Sequence, residues 1–176
     1  MLGFVATPAW ADVSAMVKLG YDFGGDTLTT VPFTDGTTAS IDTNEGLLLG
    51  GGVAIANADY TWQTEITLNW KYQAITAANG DLKWTRWPLE ALTFYQMTQF
   101  RFGGGLTYHL NPSLQGDGAV SNINMDFDNA LGFVLQADYR LDEAIAFGLR
   151  YTVIEYESGG RTYDASGPGL SFSAVF

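Results

Sequence analysis

Cysteine is absent from this sequence, which excludes disulfides, thiol catalysis and cysteine-ligated metals and leaves stability to packing and the backbone hydrogen-bond ladder. Cationic side chains are few. Eight Lys and Arg stand against 19 Asp and Glu, a formal net charge of -11, so the basic stripe that a nucleic acid or another polyanion requires is missing. Long apolar runs are missing as well. No stretch approaches the roughly 18 residues of a membrane-spanning helix, and any membrane crossing has to be made by strands. What remains is a chain of 176 residues with 47% hydrophobic content, enough for one folded domain.

Residues 1–11 are apolar and end in Ala9-Trp10-Ala11, a small-x-small pattern that suits signal peptidase cleavage before Asp12. They read as the remnant of a secretory signal without its cationic start, and residues 12–176 as the mature domain. From Val13 onward polarity alternates with a period of two, as half-buried strands require. Eight such segments are expected, over residues 13–23, 46–56, 60–72, 83–95, 100–110, 127–139, 144–156 and 170–176. The third is the cleanest, with Tyr60, Trp62, Ile66, Leu68, Trp70 and Tyr72 set against Thr61, Gln63, Glu65, Thr67, Asn69 and Lys71. In the fourth, Pro88 and the inward Leu92 and Phe94 blur the pattern. Short connections at 57–59, 96–99 and 140–143 alternate with long ones at 24–45, 76–82, 111–126 and 157–166, the arrangement of an outer-membrane barrel. Residues 27–31 are positioned to extend the first hairpin beyond the membrane.

Alternation alone does not separate a membrane barrel from a soluble one that hides its apolar face inside. The residue types decide. Nearly every charge within the strands shares a phase with glycine and small polar residues, as the crowded interior of a narrow barrel requires, while large aromatics fill the opposite phase. Those aromatics gather near the strand ends: Tyr60, Trp62, Tyr95, Phe100, Tyr139 and Phe176 toward the periplasmic rim, and Tyr21, Phe23, Trp70, Tyr72, Tyr108 and Phe127 toward the outer rim. Two such belts are the girdles of a membrane interface. The expected fold is all-β, an eight-stranded antiparallel up-and-down transmembrane β-barrel.

The eight amphipathic segments, the alternating loop lengths and the ending Leu170-Ser171-Phe172-Ser173-Ala174-Val175-Phe176 resemble the OmpA/OmpX-like small outer-membrane barrels, over almost all of residues 12–176. The resemblance implies the outer membrane of a Gram-negative bacterium, with the long loops extracellular and outer-membrane lipids and lipopolysaccharide around the wall. The Phe176 segment is similar to the signal read by the barrel assembly machinery. A monomer is expected. Activity is only weakly implied, because that family includes structural barrels, adhesins and enzymes.

The inward phase holds Lys18, Glu65, Lys71, Arg86, Glu90, Arg101, Asp138 and Arg150, which have to pair because each charge taken out of water is costly. Counted from the periplasmic turns, Lys18, Glu65, Glu90 and Arg150 lie at similar heights, which predicts one ionic cluster across the lower lumen. Eight strands leave an interior that side chains can just fill, so a closed plug is preferred to a narrow ion path. His109, the only histidine, is expected inward near the outer end of the fifth strand. Lipid A deacylases are also eight-stranded barrels, but their histidine lies close in sequence to a serine on the membrane face. Tyr108-His109-Leu110-Asn111 supplies none. No enzymatic activity and no cofactor are expected.

No metal site is expected either, because Asp117, Asp126 and Asp128 match no calcium-loop spacing. Gly50-Gly51-Gly52 and Gly103-Gly104-Gly105 lack the following Lys-Ser/Thr of a phosphate loop and are expected to relieve crowding where strands bend. The function read from the sequence is a non-enzymatic barrel with a filled polar lumen and acidic surface loops. The alternatives are a narrow channel or carrier for small or apolar solutes and, behind it, a lipid-modifying enzyme.

Overall fold

A computed structural model describes residues 12–32, 37–77 and 80–176. The segment 1–11, read above as a signal remnant, lies outside the described residues. Numbered along the chain, the strands are β1 (Asp12–Asp22), β2 (Thr27–Pro32), β3 (Thr38–Asp42), β4 (Gly46–Ala56), β5 (Trp62–Ala77), β6 (Gly80–Gln96) and β7 (Phe100–Gly116). They continue with β8 (Asn124–Asp126), β9 (Ala130–Arg140), β10 (Ile145–Val153), β11 (Glu155–Ser158), β12 (Arg161–Asp164) and β13 (Gly167–Val175). Eight of them form the wall in the order β6-β5-β4-β1-β13-β10-β9-β7, and β6 pairs back onto β7, so the sheet closes and leaves no edge. All the pairings are antiparallel.

Period-two patterning sorts the side chains cleanly. Leu131, Phe133 and Leu135 on β9 and Phe147, Leu149 and Tyr151 on β10 face outward and exposed, whereas Gln136, Asp138 and Arg150 are buried. The blurred fourth segment is in fact strictly alternating. Leu82, Trp84, Arg86, Pro88, Glu90, Leu92, Phe94 and Gln96 all point inward along β6. An apolar outer face wrapped around buried ions is the inverse of a soluble protein, and it marks this barrel as one that spans a membrane.

Strands β5, β6 and β7 are 16, 17 and 17 residues long. A tilted strand needs only about 9–11 residues to cross a bilayer, so these three project beyond it. The expected loop over 76–82 is therefore a continuation of the ladder, with Ala77 paired to Gly80. Outside the membrane the ladder still satisfies the backbone, and the inward Ile75, Leu82 and Trp84 still find apolar neighbours. The span 111–126 is likewise the end of β7, a 3-10 turn at Gly118–Val120 capped by Asp117, and β8 paired back onto β7. Residues 24–45 carry the β2–β3 hairpin, which takes up 27–31, and residues 157–166 carry most of the β11–β12 hairpin. Its tip is Gly159-Gly160, both with positive φ.

These projections fold over the outer mouth as an apolar cap of Ile41, Ile75, Leu82, Trp84, Leu114, Phe127, Ala130, Ile154, Tyr156 and Ala165. Phe127, expected in the outer girdle, belongs to this cap instead. Its backbone N–H donates to the Pro112 carbonyl at 3.0 Å, and its ring lies 5.0 Å from Trp84 and 5.6 Å from Tyr163. The phase is broken because β8 ends at Asp126 and β9 starts only at Ala130. The hydroxyl and indole donors of such a cluster need partners, and the Trp84 Nε1 donates to the Thr43 carbonyl at 3.0 Å.

The two glycine runs do not mark bends, since the registers through both are continuous. Their inward members create room. A Cβ on Gly103 would stand 2.6 Å from Cδ1 of Phe94, and one on Gly169 would meet the Asp22 carboxylate. The irregularity lies elsewhere, in the β6–β7 register between Thr85 and Trp87, opposite Asn111, whose φ is 47°. Two substitutions test this packing by urea unfolding of the refolded barrel, followed by the mobility of unheated samples on gels. Gly103→Ala is expected to cost about 1–3 kcal/mol by overpacking against Phe94. Trp84→Ala is expected to cost about 3–5 kcal/mol by emptying the centre of the cap.

Candidate functional site: the lumen and its outer cap

Lumen charges sort into two groups at different heights. In the lower one, Arg101 on β7 holds Glu65 of β5 through Nη1 at 2.5 Å and Asp138 of β9 through Nε at 2.7 Å, and its Nη2 donates to Ser173 Oγ at 2.9 Å. The guanidinium also lies 4.2 Å from the Phe94 ring centroid. Gln136 donates to both Asp138 oxygens, at 3.0 and 2.9 Å, and Ser171 donates to Oδ1. Gln96 donates to Gln63 at 2.6 Å and Gln63 to Glu65 at 3.2 Å, which carries the network down to the periplasmic mouth. There the lumen widens into a polar vestibule of about 460 Å³, bordered by Ser14, Gln63, Gln96, Arg140 and Glu143.

Higher up, Glu90 on β6 accepts from Lys18 Nζ of β1 at 2.7 Å and is ion-paired to Arg150 of β10. Arg150 Nε lies 3.6 Å from Asp22, whose other oxygen is 2.6 Å from Lys71 Nζ. Lys71 also donates to Asn44 Oδ1 at 2.8 Å. Arg86 faces the same space, with Nη2 donating to the backbone carbonyls of Asn44 and Glu45 at 2.9 and 2.7 Å and the guanidinium 4.7 Å from the Trp84 ring centroid. Uppermost, His109 Nδ1 shares a hydrogen bond with the hydroxyl of Tyr156, a member of the cap.

The structure thus brings Lys18, Glu90 and Arg150 together and separates Glu65 from them. The expectation of one cluster at a common height is corrected for a geometric reason. Closing a barrel staggers the strands, so equal distances along the chain from the periplasmic turns are not equal heights. The register sets Glu65 opposite Leu92, while Glu90 stands opposite Thr67. Asp22 was the carboxylate missing from the expected network. It shares the inward phase of Lys18 and Gly20, a signal present in the sequence but placed at a strand end. Asn44, Tyr156 and Trp84 lie in or beside segments read as loops or strand ends, and carried no comparable signal.

Several of the aromatics expected in the two belts meet one another on the wall. Trp62 lies edge-on to Tyr95 at 5.2 Å, Phe100 edge-on to Tyr139 at 5.4 Å, and Trp70 stacks on Tyr72 at 4.9 Å. Tyr108 and Phe176 are exposed on the wall. Tyr60 occupies a turn with φ 54° and donates its hydroxyl to Asp12 at 3.1 Å, a bond that raises the phenol above its usual pKa. Among the described residues no group of three or more His, Cys, Asp and Glu is arranged to hold a metal ion.

This is a transmembrane β-barrel of the outer-membrane type, with its short turns periplasmic and its long hairpins extracellular. No family model matches the sequence, and no curated protein matches it. Solved structures do. Ail, the attachment invasion locus protein of Yersinia pestis in complex with the heparin analogue sucrose octasulfate, aligns with a TM-score of 0.59 at 5% identity, over 94% of this chain and 97% of that one. Neisserial surface protein A aligns with a TM-score of 0.55 at 11% identity, over 95% and 99%. At such identities the likeness is one of fold, and the fold is that of the OmpA/OmpX-like small outer-membrane barrels.

Because Glu90 serves two buried cations, Glu90→Gln is expected to destabilise the barrel by about 3–5 kcal/mol. Adding Lys18→Met should recover part of that loss by removing one of the stranded charges. Urea midpoints of the parent, single and double variants check both expectations.

Proposed function

We propose that this protein is a non-conducting, non-enzymatic outer-membrane barrel whose interactions are made by the hairpins it holds above the membrane. The observation that carries this reading is the double closure of the lumen. Two charge networks cross it, and the apolar cap of Trp84, Phe127 and Tyr156 lies over its outer end. An ion travelling through would have to break buried pairs and then cross a layer of mainly apolar side chains. His109 supports the same reading, being 2% exposed inside the lumen with Tyr156 as its partner, away from the lipid-facing wall where a lipid-modifying histidine would work.

The charge distribution suggests what the hairpins meet. Five of the eight basic residues are buried in the lumen and Arg140 borders the periplasmic vestibule, which leaves Lys83 and Arg161 to the outer side. Asp26, Asp42, Asp126, Asp128, Glu157 and Asp164 stand there in excess. A sulfated polyanion of the kind bound by Ail would be repelled from such a face. Contact with lipopolysaccharide phosphates would run through bridging divalent cations, and partners with basic surfaces fit better. The outward Leu170, Phe172 and Phe176 at the chain end are proposed as the segment read by the assembly machinery.

Single-channel recording in planar bilayers tests the closure. The refolded parent is expected to be silent, and Glu65→Gln or Glu90→Gln to show openings as the networks loosen. Steady conductance by the parent would replace this reading with the alternative, a narrow channel for small solutes.

A further inference from the structure

Charges buried in the upper lumen do not balance. Among the described residues, Lys18, Lys71, Arg86 and Arg150 are buried there against only two buried carboxylates, Asp22 and Glu90. Glu90 serves Lys18 and Arg150, and Asp22 serves Lys71 and Arg150. Arg86 is left over. It is 0% exposed and makes no ion pair, and its Nε and Nη1 have no hydrogen bond of good geometry, the Tyr156 hydroxyl lying beside the guanidinium.

The strand register aggravates the imbalance. Arg86 is directly opposite Lys71 in the β5–β6 ladder, so two cations enter the lumen side by side, an arrangement that repels. Asp22 and Glu45 act on Arg86 only at a distance, with no direct ion pair to either. Of Glu45, Arg86 uses only the backbone carbonyl, while the carboxylate accepts a hydrogen bond from the outward Tyr21 at 2.8 Å. Water could satisfy the free N–H donors but not the charge, and the cap above shields the site from solvent, so the repulsion acts in a medium of low dielectric. Unpaired buried donors of this kind mark an internal water or ion, and here the surplus charge selects the ion.

We propose that the upper lumen holds one small inorganic anion of halide size, bound between Arg86 and Lys71 beneath the apolar cap. Full burial of both residues admits only a small ion, and the guanidinium supplies directed N–H donors with Lys71 as a neighbouring point charge. Enclosed by the cap on one side and the Glu90 network on the other, the anion enters as the barrel folds and thereafter forms part of the plug. This inference is independent of whether the hairpins bind a partner.

The test uses bromide as the probe. Barrel refolded and crystallised in sodium bromide is expected to show an anomalous scattering peak against Arg86. Barrel refolded in chloride or bromide is expected to melt several degrees higher than barrel refolded in gluconate at equal ionic strength. Arg86→Met, which removes the charge but keeps an apolar stem, should abolish that difference. If this variant does not fold, the bromide measurements on the unmodified protein still decide. No peak together with equal melting in all salts overturns the proposal. So does tyrosinate absorbance at neutral pH that Tyr156→Phe removes, because Tyr156 would then be the counter-charge.

Discussion

Glu90 stands on β6 and holds Lys18 of β1 and Arg150 of β10, so one carboxylate ties together three strands, none of which is a neighbour of another in the wall. The rest of the interior is arranged around the need to satisfy such groups. In a soluble protein the core is apolar and ions go to the surface, but here the surface belongs to lipid and the ions have to go inside. Each buried charge then constrains the others. Arg101 performs the equivalent task lower down, joining β7 to β5 and β9 and reaching Ser173 on β13. Backbone pairing holds each strand to its two neighbours, and the ion pairs hold opposite walls at a fixed distance.

Filling a narrow barrel with long charged chains leaves little room for anything else, and this accounts for the inward glycines. Gly148 faces Asp138, Gly169 faces Asp22 and Arg150, and Gly50 faces Asn69, each vacating the volume that a polar side chain from another strand takes up. Gly103 does the same for Phe94, whose ring supports Arg101. The composition of the inner face, small residues alternating with a few large ions, is therefore one solution to a volume constraint and an electrostatic constraint at once.

Much of this was legible in the sequence because the period of two is strict. Inward and outward sets could be assigned for β5 residue by residue, and Lys18, Glu90, Arg101, Asp138 and Arg150 were all identified as lumen residues. Three things were not legible. Height in the barrel depends on stagger, a property of closure that no single strand carries, and Glu65 was misplaced for that reason. The cap is built from residues distant in sequence, Ile41 inside an expected loop and Trp84, Phe127 and Tyr156 at the ends of expected strands, where alternation does not show that they meet. Alternation also fails at a chain bend, which is why Phe127 was assigned to the wrong side of the wall.

The two ends of the lumen are unlike, and the difference bears on function. The periplasmic mouth opens into a polar vestibule connected to the Arg101 group through Gln96 and Gln63, so water can reach the lower network. The outer mouth ends in apolar packing that excludes water from His109 and Arg86. A pore would need both ends hydrated. The surface role proposed above needs a rigid outer end, and the cap fastens the hairpins to one another. Asp26 and Asp164 exchange hydrogen bonds at 2.7 and 2.8 Å between the segments that lead into β2 and end β12, and Thr43 donates to the Asp164 carbonyl at 2.6 Å. The seal over the lumen and the order of the exposed hairpins thus have the same physical cause, and a change that loosened the cap would disturb both together.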